Sequence, residues 1–136
     1  MALLLTTHDT RFDDPDAVTI ARVLAALDGD RHVLVTLARS ELTYLQASGS
    51  AQTGLALEYQ EESLDRHYTS GGGALPLETV TDIFHRYARD DQSWRDRLSW
   101  EHVPYVREKT PWHNTWVAYV IILLTVVVLV WLWRGW

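Results

Sequence analysis

Residues 116–133 form an uncharged run of 18 residues, and this run constrains the chain more than any other feature. As an α-helix it spans about 27 Å at 1.5 Å per residue, close to the ~30 Å hydrocarbon core of a bilayer. Its many β-branched residues would suit a strand in water. In lipid a lone strand leaves its backbone groups unsatisfied, so the helix is favoured. Trp112 and Trp116 stand at one end, and Trp131, Trp133 and Trp136 at the other. Indole rings prefer the headgroup level, with the ring buried and the N–H wet, so these five are read as membrane-interface residues in contact with lipid. The competing reading is a buried core helix or a pair of strands. No Asp, Glu, Lys or His lies inside the run, which points to an anchor rather than an ion pathway.

Flanking charges set an expected orientation. Arg107 and Lys109 precede the run and only Arg134 follows it, which biases the N-terminal side to the cytoplasm. The opening Met1-Ala2-Leu3-Leu4-Leu5 has no basic start and too short an apolar stretch for a secretory signal, and reads as a short strand, a packing arm or a loose end. Three residues follow Trp133. The expectation is a single-pass, tail-anchored membrane protein.

Charge divides the chain at the same place. Residues 1–106 carry nine Arg against seventeen Asp or Glu, a net of −8, while 107–136 carry +2 within the overall −6. An acidic body of this size holds one core and repels phosphate, so nucleic acid is not expected as a partner. There is no cysteine, which removes disulfides, thiolate metal sites and a cysteine nucleophile.

Within the acidic part, Asp13-Asp14-Pro15-Asp16 is a helix start. Val18, Ala21, Leu24 and Ala25, widened by Ile20 and Leu27, form its apolar face, and Asp28-Gly29-Asp30 ends it. Residues 32–38 read as a strand with Val33, Val35 and Leu37 on one face, and 42–46 as a second. Ser48-Gly49-Ser50 and Thr53-Gly54 mark a loop. Residues 55–60 and 64–69 alternate as third and fourth strands. After Ser70-Gly71-Gly72-Gly73, residues 77–89 form a second helix with Val80, Ile83, Phe84, Tyr87 and Ala88 inward. Residues 94–100 read as a helical turn or a last extended piece. The predicted fold class is α+β: an antiparallel four-stranded meander with helices on one face, plus one C-terminal transmembrane helix. The domains expected are an acidic α+β domain at 1–100, a juxtamembrane linker at 101–115, the transmembrane helix at 116–133 and a short tail at 134–136.

Chemistry is sparse. His8, His32, His67, His85, His102 and His113 lack any recognised ligand spacing, so no metal site is assigned. Asp65 and His67 share one strand face and could form a general-base pair, but no nucleophile motif or phosphate loop accompanies them, and a cross-strand polar pair is preferred. No catalytic residue and no cofactor are assigned. Glu58, Glu61, Glu62 and Asp65, with Arg66 among them, form an acidic stretch. Most such stretches are solvated faces, but a minority steer and dock basic proteins, and these five are the candidate partner-binding residues.

The segments 55–68 (Leu-Ala-Leu-Glu-Tyr-Gln-Glu-Glu-Ser-Leu-Asp-Arg-His-Tyr), 76–80 (Pro-Leu-Glu-Thr-Val), 87–94 (Tyr-Ala-Arg-Asp-Asp-Gln-Ser-Trp) and 27–35 (Leu-Asp-Gly-Asp-Arg-His-Val-Leu-Val) together resemble immunity-like proteins of bacterial polymorphic toxin systems, in the group associated with deaminase toxins. The resemblance covers residues 16–100. It implies an α+β sheet-and-helix domain that binds and neutralises a toxin without catalysis. With the anchor added, it implies action at the inner face of a membrane. The function expected is a membrane-tethered, non-enzymatic binding protein with a basic toxin as partner. The alternative is a small single-pass accessory subunit that binds the other subunits of a larger membrane complex.

Overall fold

The computed structural model describes residues 2–71 and 74–107. One compact unit, Met1–Tyr105, contains a seven-stranded sheet and two α-helices. The strands are β1 (Leu4–Thr6), β2 (Arg11–Asp13), β3 (Leu34–Ser40), β4 (Thr43–Ser50), β5 (Gly54–Glu61), β6 (Ser63–Thr69) and β7 (Glu101–His102). Helix α1 (Ala17–Ala25) follows β2, and α2 (Leu77–Ala88) follows β6. A 3₁₀ helix, Gln92–Arg97, leads into β7. The spatial order is β2-β1-β3-β4-β5-β6-β7, with every neighbouring pair antiparallel.

The core follows from side-chain alternation. Leu5, Leu37, Leu45 and Tyr59 fall opposite one another on successive strands, as do Val35, Ala47 and Leu57. All seven are buried, on the face covered by Ile20 and Leu24 of α1 and by Val80, Ile83, Phe84 and Tyr87 of α2. The α2 set has the i, i+3, i+4, i+7 spacing of one helical stripe, and each large apolar side chain so buried contributes about 1.5–3 kcal/mol. Asp16 caps α1 by accepting from the Thr19 N–H at 2.7 Å. Pro76 stands before α2 in extended conformation, and Glu78 complements its N-terminal dipole.

The expected four-stranded meander is corrected to a seven-stranded sheet, in which β3-β4-β5-β6 is one run and three further strands extend it. The first is β1, whose Leu5 is fully buried between β2 and β3. Three consecutive leucines carry no alternation from which to read it. In β2 only Phe12 is apolar, between two charged residues. In β7 neither residue is buried, and pairing with Tyr68 and Thr69 alone defines it, inside what reads as linker. The strand β4 also runs through Ser48-Gly49-Ser50, because its ladder with β5 continues to the Ser50–Gly54 pair. Val18 and Val33 are exposed rather than inward.

The membrane expectations are corrected as well. Among the described residues no helix is long and apolar enough to cross a membrane. At 1.5 Å per residue, the 9 residues of α1 and the 12 of α2 fall well short of a bilayer, and both are amphipathic around a shared core. The single-pass, tail-anchored localisation therefore has no support in the described structure. The run 116–133 and Trp112, Trp116, Trp131, Trp133 and Trp136 lie outside the described residues.

Candidate partner-binding site

The turns divide the sheet into two ends. One end carries the β3–β4 turn, the β5–β6 turn and the C-terminus of α2, and there the charged and aromatic side chains gather. The tight β5–β6 turn sets Glu62 in the left-handed region at φ 61°, with its N–H bound to Thr43 Oγ1 at 3.1 Å. The turn shifts the register between Gln60 and Glu61, so Glu61 meets Arg95 of the 3₁₀ helix. Arg66 reaches Glu61 at 2.8 Å and Glu62 at 3.3 Å. Glu61, Glu62, Arg66, Arg95 and Thr43 line a shallow cavity of about 220 Å³.

Beside it lies a smaller cavity of about 130 Å³ that shares Thr43, Glu61 and Arg95 and adds Arg39, Tyr59, Tyr87 and Trp94. Its aromatic residues belong to one cluster. Tyr59 stacks on Tyr68 with centroids 4.8 Å apart, and meets Trp94 and Trp100 edge-on at 4.9 and 4.8 Å. Tyr87 meets Trp94 at 5.6 Å. Such pairs each add about 0.5–1.5 kcal/mol beyond their burial, so the cluster fixes the 3₁₀ helix on the end of the sheet. Trp100 adds a hydrogen bond from its indole N–H to the Arg95 carbonyl at 2.9 Å. Arg86 bonds Asp82 within α2 at 3.0 Å and ties α2 to the 3₁₀ helix through Asp91 at 3.1 Å and Ser93 Oγ at 2.9 Å. The bond from Arg86 holds the Asp82 carboxyl below its ordinary value, and bonds from Ser93, then Arg86, do the same for Asp91.

Both arginines of the smaller cavity lie over aromatic rings. The Arg39 guanidinium is 4.9 Å from the Tyr87 centroid, and that of Arg95 is 4.8 Å from Trp94 and 5.6 Å from Tyr59. Arg39 also donates to the Tyr87 carbonyl and sits 3.5 Å from Asp90. The Tyr87 hydroxyl is sealed from solvent and has no hydrogen-bond partner of ordinary geometry among the described residues. Burial raises the Tyr87 phenol above its ordinary value, and the Arg39 charge opposes that rise.

The five candidate residues do not form one patch. Glu61, Glu62 and Arg66 are brought together. Glu58 is on the opposite sheet face, where it accepts from His67 Nε2 at 3.2 Å. Asp65 is exposed, and its carbonyl accepts from His102 Nε2. His67 therefore pairs with Glu58 and not with Asp65. Arg39, Tyr87 and Trp94 come from three separate segments, and no local pattern joins them. The run Trp94-Arg95, an aromatic beside a cation, was the one signal present in sequence. Among the described residues, no group of three or more His, Asp or Glu could hold a metal ion.

Exposed groups surround this end. Glu62 and Asp90 have 80% and 73% of their side-chain surface open, Glu41 is exposed, and Leu42 and Leu64 are exposed apolar residues. Comparison with protein-family models, with curated proteins and with solved structures finds no match for this chain.

Proposed function

We propose that the domain is a non-enzymatic protein-binding module of the immunity-like kind, and that it captures a basic protein at the hairpin end of its sheet. What carries the reading is the combination at that end. Open carboxylates at Glu41, Glu62 and Asp90 and exposed Leu42 and Leu64 ring a pocket whose arginines and aromatics are already held in place. Exposed carboxylates of one sign steer a cationic partner and raise its capture rate. Exposed apolar side chains inside such a rim supply area that becomes buried on contact. A pre-ordered aromatic and arginine centre is the composition that binding hot spots favour.

The test is co-expression with the product of the reading frame adjacent to this gene. Expected are relief of that product's toxicity and a complex whose association slows as salt rises. Undiminished toxicity, or association indifferent to salt, overturns the reading. Charge reversal at Glu62 and Asp90 together is expected to lower the association rate at least tenfold while the far end of the sheet stays unaffected.

A further inference from the structure

We infer that the smaller cavity is a carboxylate-binding pocket, built to seat one planar, singly charged oxyanion between Arg39 and Arg95. The site stands on its own geometry and does not depend on the identity of any protein partner.

Buried charge is unbalanced there. Arg39 keeps 19% of its side-chain surface and Arg95 35%, whereas the one well-buried carboxylate beside them among the described residues, Glu61, keeps 15% and is shared with Arg66. Asp90, the other acid at the cavity, is turned out to solvent and is 3.5 Å from Arg39. The cavity thus holds more enclosed cation than enclosed anion. Hydrogen-bond donors are also in excess. Among the described residues, Arg39 donates through Nη2 alone, and Arg95 through Nε to Gln92 and Nη2 to Glu61. The Nε and Nη1 groups of Arg39 and the Nη1 group of Arg95 make no hydrogen bond. An enclosed N–H without an acceptor is costly, so these donors face water or a ligand.

The shape selects among anions. Stacking on Tyr87 and Trp94 fixes the guanidinium planes, so their forks are set before a ligand arrives. The remaining N–H groups of Arg39 and the Nη1 group of Arg95 can each donate to one of the two oxygens of a carboxylate. A cavity of about 130 Å³ admits that group with a short aliphatic stem. The exposed carboxylates at this end, and the −8 carried by residues 1–106, oppose a doubly charged phosphate more strongly than a singly charged carboxylate. The carboxylate belongs either to a free short-chain acid or to an acidic side chain of a bound protein.

The experiment is a titration of the full chain followed through the Trp94 indole N–H and the Arg side-chain N–H resonances. The probes are propionate, N-acetyl-glutamate methylamide, inorganic phosphate and chloride at matched ionic strength. Saturable shifts with propionate are expected, with phosphate at least threefold weaker and chloride without effect. Competition of the glutamate derivative with propionate assigns the group to a protein side chain; binding of propionate alone assigns it to a free acid. Arg39→Lys and Arg95→Lys retain the charge and lose the guanidinium, and each is expected to weaken propionate at least tenfold while the chain still shows a cooperative melting transition. If the second variant unfolds, Arg39→Lys alone decides, because Arg39 lies outside the Glu61 network. Equal shifts with chloride, phosphate tighter than propionate, or undiminished binding by Arg39→Lys each overturn the assignment.

Discussion

The two ends of the sheet are each closed by two hairpin turns and do different things. At the end with the β1–β2 and β4–β5 turns, polar groups are consumed internally. The Asp28 carboxylate accepts the backbone N–H groups of Asp30, Arg31 and His32 at 2.9, 3.0 and 2.9 Å. Gly54 has φ +129°, and a Cβ there would overlap the Cβ of Ala74. A cavity of about 200 Å³ between β2, α1 and β3 is lined by Phe12, Val23, Ala26, Leu27, Leu34 and Val35 together with Thr7, Asp9, Thr10 and His32, and no arginine lines it. At the opposite end, guanidinium groups are held over aromatic rings with donors left over, and carboxylates face outward. One end closes the fold, and the other leaves bonding capacity unspent. Residues that complete a fold and residues that bind can therefore be told apart by where their hydrogen bonds go.

Substitutions can break that contrast, and the largest effect belongs to the closing end. Gly54→Ala forces a side chain into Ala74 and a backbone angle that L-residues avoid, and is expected to cost about 2–4 kcal/mol in denaturant unfolding. A loss within experimental error would show that the β4–β5 turn yields and that this end is not closed. Reversing Glu62 and Asp90 together is expected to change stability little, as exposed pairs do, while capture of a basic partner falls at least tenfold. A fall in stability without a fall in capture would exchange the roles of the ends.

Two smaller effects sharpen it. Tyr87→Phe removes a hydroxyl that is sealed and unpartnered, so stability is expected to hold or rise by up to about 1 kcal/mol. A clear destabilisation would mean that an acceptor reaches the hydroxyl and that the donors there are spent after all. The three backbone bonds hold the Asp28 carboxyl below its ordinary value. Because the folded value is the lower one, the stabilisation is complete above the unfolded value near pH 4 and is lost as pH falls through the folded one. Asp28→Asn is expected to flatten the acid limb of a stability–pH profile and to leave the neutral limb nearly level. An unchanged acid limb would remove Asp28 from the closing end.

Sequence patterning reached the parts of the fold where one face is buried over several residues. The stripe of α2 is there in full, and the alternation of Leu55, Leu57 and Tyr59 against Ala56 and Glu58 follows β5 as far as Gln60, which is buried. It failed where pairing, not burial, defines the element. Two residues at β7 have no period, and Phe12 between Arg11 and Asp13 looks like any exposed turn. Ser48-Gly49-Ser50 carries turn residues, yet the partner strand extends past them and the ladder overrides the local preference. The site divides in the same way. Glu61, Glu62 and Arg66 are close in sequence and were found as an acidic stretch. Arg39 and Tyr87 are 48 residues apart, and only the fold brings them together.

The place of β1 has a kinetic consequence. Strands β3 to β6 follow one another through short turns, so their pairing closes small loops and can form early. The β1–β2 hairpin joins this block through three residue pairs, Leu4–Ala38, Leu5–Leu37 and Thr6–Thr36, and the chain between them includes the whole of α1. Closure of that longer loop is expected late in folding and its reopening first. Amides of residues 4–13 are expected to exchange with solvent faster than those of β4 and β5, as a separate cooperative unit. Equal protection across both would make the seven strands one unit. The arginine pocket draws none of its residues from this hairpin, so an opening there leaves it assembled.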